Sequence, residues 1–147
     1  MADLVQNAAN VAIDPTSSPQ LLQGQLGGEA FTQGCPLYQT NAANGYWFNA
    51  SGGGNALQAG GQTKLGIAVT QCAAAGQPCV VFTSGRINLG ATLTVGETYD
   101  VSVNVGKIFP VGSLATNNYV SELGIAVNAN YIQTPPGGMF ATNTQHA

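Results

Sequence analysis

Thr98-Tyr99-Asp100-Val101-Ser102-Val103-Asn104-Val105 is the most regular stretch of the chain. Tyr99, Val101, Val103 and Val105 alternate with Asp100, Ser102 and Asn104. Successive side chains of a strand point to opposite faces, so this segment reads as apolar on one face and polar on the other. A strand of that kind lies in an antiparallel sheet with one face on a core and one in water. The pattern recurs more weakly on both sides. Short runs rich in Val, Ile, Tyr, Phe and Thr, separated by Gly, Asn and Pro, predict strands at Ala30–Thr32, Pro36–Thr40, Gly45–Asn49, Leu65–Thr70 and Cys79–Ser84. Further strands are predicted at Thr98–Val103, Ile108–Val111, Tyr119–Asn128 and Tyr131–Gln133. No segment has a strong 3.6-residue period. The sequence is therefore mainly β, and its regularly spaced short strands fit a barrel or a sandwich.

Residues 1–28 differ from this pattern. They contain no aromatic residue and no clean alternation, and Asp14-Pro15-Thr16-Ser17-Ser18-Pro19 is a loop signature. They read as an extended N-terminal arm on a domain spanning 29–147. Leu4, Val5, Val11, Ile13, Leu21, Leu22 and Leu26 give the arm apolar residues with which to dock. Two glycine-rich linkers, Ala50–Asn55 and Gln58–Gln62, follow the aromatic run Tyr46-Trp47-Phe48. The tail from Pro135 reads as a loose end, with Met139 and Phe140 as candidates to tuck in. Leu65-Gly66-Ile67-Ala68-Val69 recurs unchanged as Leu123-Gly124-Ile125-Ala126-Val127. Two equivalent strands of a pseudo-symmetric body explain the echo, and chance reuse of strand residues competes with that. A glycine inside such a strand suggests a bulge or a close backbone approach.

Composition excludes more than it proposes. The chain has 147 residues, with 3 basic side chains, 6 acidic ones and one histidine. The charged fraction is 6%, against about 25% in ordinary soluble proteins. Lys64, Arg86 and Lys107 cannot neutralise many phosphates, which argues against nucleic-acid binding and against a basic membrane-surface role. No apolar run is long enough to span a bilayer as a helix. Met1–Ile13 lacks a basic n-region and an apolar h-region, so synthesis in a reducing cytoplasm is expected. Cys35, Cys72 and Cys79 are an odd set; Cys72 and Cys79 could face each other across a hairpin, and free thiols are expected.

The chemistry inventory is thin. His146, one residue from the end, is the only imidazole for a nucleophilic triad. The cysteines lack zinc-ligand spacing, and no glycine run has phosphate-loop spacing. Glu97 and Asp100 are a formal carboxylate pair, but their spacing on a strand does not make them converge. No catalytic residue, metal or cofactor is assigned. Tyr46 and Trp47 are candidate interface aromatics, with Trp47 as a core residue the competing reading.

The stretches Leu65–Val69, Cys72–Pro78 and Val80–Gly85 together resemble the capsid decoration (cement) proteins of tailed bacteriophages. Gln33–Tyr38, Leu89–Tyr99 and Leu123–Val127 extend the resemblance over about residues 30–134. The resemblance implies a small β-barrel or tulip-like domain. It implies a homotrimer on the outer surface of a virion, clamping neighbouring copies of the major capsid protein. The arm and the glycine-rich 50–62 insert lie outside it. On this reading the β domain folds without residues 2–28, and the arm serves capsid binding. A carbohydrate-binding β-module of a fibre or adhesin, using Tyr46 and Trp47, is the alternative.

Overall fold

The structure is a computed structural model that describes residues 3–39, 45–51, 64–115, 120–135 and 139. Most of the two glycine-rich linkers, Tyr119, Phe140 and His146 lie outside the described residues.

Among the described residues eleven strands form two antiparallel sheets. In chain order they are β1 (Ala12–Ile13), β2 (Gln20–Leu26), β3 (Pro36–Gln39), β4 (Trp47–Asn49), β5 (Lys64–Ala68) and β6 (Pro78–Ser84). They continue with β7 (Arg86–Asn88), β8 (Thr98–Val101), β9 (Ile108–Pro110), β10 (Glu122–Ala126) and β11 (Tyr131–Gln133). The six-stranded sheet has the order β1-β7-β11-β10-β8-β9, and the five-stranded sheet β2-β6-β5-β3-β4. Among the described residues no helix is long and apolar enough to cross a membrane.

A single glycine carries the chain from β6 in one sheet to β7 in the other. β6 and β7 are a single run interrupted at Gly85, which has φ of 115°. That conformation belongs to glycine, and it turns the strand out of one sheet and into the other. Thr134 holds the corner from both sides: its hydroxyl accepts from the Gly85 N–H at 2.9 Å, and its own N–H donates to the Gly85 carbonyl at 3.0 Å.

The main core lies between the sheets. Leu65, Ile67 and Phe82 from the five-stranded sheet meet Ile87, Leu89, Tyr99, Val101, Ile108, Leu123 and Ile132 from the other side. A second cluster of Phe31, Leu37, Trp47, Ala68, Cys72, Cys79 and Val81 fills the opposite face of the five-stranded sheet. Strand β5, in the interior of that sheet, is buried on both faces, which is why it is apolar at Leu65, Gly66, Ile67 and Ala68 without alternation. The sheet rolls around Trp47 until β4 meets the end of β2 at a single parallel bridge, Gly27 to Trp47. Burying each large side chain in these clusters contributes about 1.5–3 kcal/mol relative to exposure.

The strand that dominates the sequence is shorter than its alternation suggests. β8 ends at Val101, and the chain turns there: the Ser102 N–H donates to the Lys107 carbonyl at 2.9 Å. Val103 and Val105 are exposed at the hairpin tip rather than buried. Asp100 and Ser102, expected in water, are both fully buried. The Ser102 hydroxyl donates to the Asp3 carboxylate, so the polar face is covered by chain that local periodicity cannot reveal.

The repeated pentapeptide occupies an interior strand of each sheet, β5 and β10. Identical residues are not used identically. Ile67 is fully buried and Ile125 is 43% exposed. Between β10 and β8 the register shifts, with Glu122 opposite Asp100 and Gly124 opposite Tyr99. The extra residue is a β-bulge, which reverses the facing of everything after it. β5 pairs regularly with β3, so it keeps its parity.

Candidate binding surface

The N-terminal segment is extended, and it lies along this chain's own body. β1 pairs with β7 and β2 with β6, so residues 12–26 run antiparallel beside the whole β6–β7 strand. The turn Pro15–Ser17 sits at the Gly85 corner, where the Arg86 N–H donates to Ser17 Oγ at 2.9 Å. Asp14 caps that turn through the Thr16 hydroxyl and N–H, which hold its carboxyl below the usual value; Arg86 lies 3.7 Å away.

Further upstream the segment straps the six-stranded sheet. The Leu4 N–H donates to the Ile108 carbonyl on β9, and the Asn7 N–H to the Gly90 carbonyl just past β7. The Gln6 side chain donates to the carbonyls of Gly34 and Leu89 at 3.0 and 2.9 Å. Strands β9 and β7 are well separated in that sheet, so residues 4–7 tie its two sides together. Gly90 makes this approach possible. Its φ is 73°, and a Cβ there would lie 2.3 Å from the Asn7 carbonyl oxygen. Gly90→Ala is expected to lift the strap, costing about 1–3 kcal/mol. Faster amide exchange at Leu4 and Asn7 would report it; unchanged exchange would show that the strap tolerates the methyl.

The seven apolar arm residues divide accordingly. Leu4, Val11, Ile13 and Leu21 pack on the main core, and Leu22 on the second cluster. Only Val5, at 91%, and Leu26, at 37%, turn outward. Five of the seven are thus occupied within this chain, and two are free to meet another molecule.

The aromatic pair also divides. Trp47 is fully buried, and its indole N–H donates to Gln25 Oε1 at 2.9 Å. Trp47 is a core residue, with no ring face left for a sugar or a partner. Tyr46 is half-buried, and the stacked pair in this region is Tyr38 with Phe48, ring centroids 5.8 Å apart.

The three cysteines are free thiols gathered around the second cluster. Burial, and secondarily Cys72, pushes the Cys79 thiol up. Cys35 and Cys72 line an open, largely apolar groove of about 430 Å³ with Phe31, Val105 and Lys107. Among the described residues no three His, Cys, Asp or Glu side chains are placed to hold a metal ion.

Several of the side chains that reach solvent are large and apolar. Val95, Val103, Val105, Val111, Ile125 and Val127 are all exposed, with Val105 at 60%. Three of them adjoin at one end of the six-stranded sheet. The Gly96 N–H donates to the Ala126 carbonyl and the Ala126 N–H to the Glu97 carbonyl, which brings Val95 beside the Ile125–Val127 segment. Sequence reading missed this patch because the β10 bulge puts Ile125 outside. A second pairing was missed as well. Glu97 does not face Asp100, but Glu122 does, directly across from it in register.

The chain matches no family model, no curated protein and no solved structure.

Proposed function

We propose that this protein is a structural virion protein that decorates the outer surface of a tailed-phage capsid and clamps neighbouring major capsid subunits. The observation that carries the reading is the surface itself. Eight large apolar side chains are exposed among the described residues, while only 6% of the chain is charged. Val95, Ile125 and Val127 together make an apolar patch that suits a protein contact, and a wet, hydrogen-bonded rim suits the chain's Asn, Gln and Thr content. The strapped N-terminal segment fits the same role, because a clamp has to hold its shape under load. The resemblance over residues 30–134 supplies the partner and the homotrimer. The reading takes the rolled five-stranded sheet as a barrel-like body, for which the Gly27–Trp47 bridge is the support. With Trp47 buried, the sugar-binding alternative rests on Tyr46 alone.

A clamp stabilises only the state it binds. The purified protein should cosediment with expanded shells of the phage that encodes it and raise their melting temperature. Ile125→Asp with Val127→Asp should weaken that binding at least tenfold while leaving the protein's own melting within a few degrees. Light scattering should show a species near three times 14.9 kDa, in solution or on the shell. Wild-type protein that ignores expanded shells would overturn the proposal. Full binding by the double variant would move the contact to Val5, Leu26 or the Val103–Val105 tip.

A further inference from the structure

Two of the three thiols enter one buried face from the two limbs of a loop. Strand β6 runs beside β2, with Cys79 opposite Gln25 and Pro78 opposite Leu26. Residues in register share a face, so Cys79 lies on the face that carries Gln25. That face is the inner one, since Gln25 Oε1 accepts from the buried Trp47 indole at 2.9 Å. Gly27, two residues along, belongs to the same face, and its N–H donates to the Gln77 carbonyl. The Cys72 sulfur fills the side-chain space of Gly27: a Cβ there would stand 2.4 Å from Cys72 Sγ.

Both limbs of the loop are tied to the same upstream segment. Cys72 exchanges two backbone hydrogen bonds with Phe31, each 2.9 Å. On the other limb the Gly76 N–H donates to the Gly27 carbonyl at 2.8 Å. Residues 73–78 between the cysteines are exposed, whereas Cys72 and Cys79 are buried and share the second core cluster. Burial first, and Cys72 second, push the Cys79 thiol up, so the two sulfurs lie within electrostatic reach of each other. Cys35 is engaged differently, with its sulfur 3.5 Å from the Thr32 hydroxyl. Cys72 also lines the open groove beside Phe31, and Cys79 does not. An oxidant entering from solvent therefore meets Cys72 before Cys79.

We propose that Cys72 and Cys79 form a reversible redox staple: free under reduction, they close to a disulfide when a low-molecular-weight disulfide such as oxidised glutathione is present. The Cys72 thiolate attacks one sulfur of the oxidant. The oxidant's S–S bond breaks, and one glutathione leaves as a thiol with the proton that Cys72 lost. The Cys79 thiol then gives up its proton, attacks Cys72 Sγ and displaces the second glutathione. Two protein thiols are oxidised to one disulfide, and one glutathione disulfide is reduced to two thiols. Such a bond needs side chains that converge, and both of these enter the same face. Closing the ring restricts the unfolded chain and pins the 73–78 loop to the start of β6. The inference is independent of the capsid reading.

The test is oxidation of the full, folded chain with oxidised glutathione, then alkylation of the remaining thiols and tryptic mapping by mass spectrometry. Cleavage after Lys64 and Arg86 releases residues 65–86, which hold both Cys72 and Cys79, while Cys35 stays in 1–64. Fragment 65–86 should become lighter by two hydrogens, with Cys35 still open to alkylation. The melting temperature should rise by about 5 °C and return on adding dithiothreitol. Cys79→Ala should stop at a mixed glutathione disulfide on Cys72, and Cys35→Ser should close as the wild type does. The wild-type map decides the matter even if Cys79→Ala does not fold. Three thiols left free, a disulfide joining 65–86 to 1–64, or loss of closure in Cys35→Ser would overturn the proposal. So would closure that leaves the melting temperature unchanged.

Discussion

Removal of residues 3–26 should leave a chain that does not fold on its own. The deletion takes away β1 and β2, one edge strand from each sheet. It removes Leu4, Val11, Ile13 and Leu21 from the main core and Leu22 from the second cluster. Each is half-buried, so each contributes about 1 kcal/mol, about 5 kcal/mol together. Whole domains are stable by only about 5–15 kcal/mol. The loss of the Leu4, Gln6 and Asn7 hydrogen bonds and of the Asp14–Ser17 turn adds to this. The deletion also uncovers the full length of β6 and β7, a long unpaired edge that invites association. Circular dichroism and solubility of the truncated chain would check the expectation. A synthetic peptide of residues 3–26 should restore cooperative melting in trans. A truncated chain melting cooperatively within a few degrees of the intact one would show that the segment is an appendage after all.

How far the sequence carried this result can be read from the same segment. Its extended path and apolar content were legible in Leu4, Val11, Ile13 and Leu21 and in the prolines that forbid a helix. Its partner was not legible. β2 pairs Gln20 with Ser84 and Leu26 with Pro78, contacts that no local pattern announces. The register of β2 also shifts between Leu22 and Gln25, so alternation is lost inside the strand and the segment does not look like one. In contrast β3, β5, β6 and β11 lie within the predicted runs to a residue or so, and Pro36, Pro78, Gly85 and Asn130 mark ends of three of them. β7 was missed because Gly85, which ends a run in sequence, here redirects a strand. The hairpin tip at Val103–Val105 misled for the opposite reason: alternation continues in the residues after the backbone has turned. The candidate site fared similarly. Exposure of Ile125 depends on a bulge, and the facing of Asp100 and Glu122 depends on register, both set by pairing between distant segments.

The two copies of Leu-Gly-Ile-Ala-Val should respond differently to the same substitution, although their sequences are identical. At Gly124 a Cβ would stand 2.5 Å from the carbonyl oxygen of Gln133 and 2.9 Å from its carbonyl carbon. Those atoms are the backbone of β11, which is fixed between β10 and β7 and cannot retreat without opening the sheet. At Gly66 the nearest atom is Val81 Cγ1 at 2.3 Å, with the Phe82 carbonyl oxygen at 3.0 Å. The first obstacle there is a side chain that can be shortened. Gly124→Ala is therefore expected to cost more than about 4 kcal/mol, enough to prevent folding at 37 °C. Gly66→Ala should cost about 1–3 kcal/mol by overpacking around Trp47. Adding Val81→Ala to Gly66→Ala should recover part of that loss, because the deleted methyls lie where the new one intrudes. No side-chain truncation can rescue Gly124, since its obstacle is main chain. Denaturant midpoints of the single and double variants would decide it. Equal costs at the two glycines, or no recovery with Val81→Ala, would mean that a shared strand preference governs both copies, and not the neighbour each one meets.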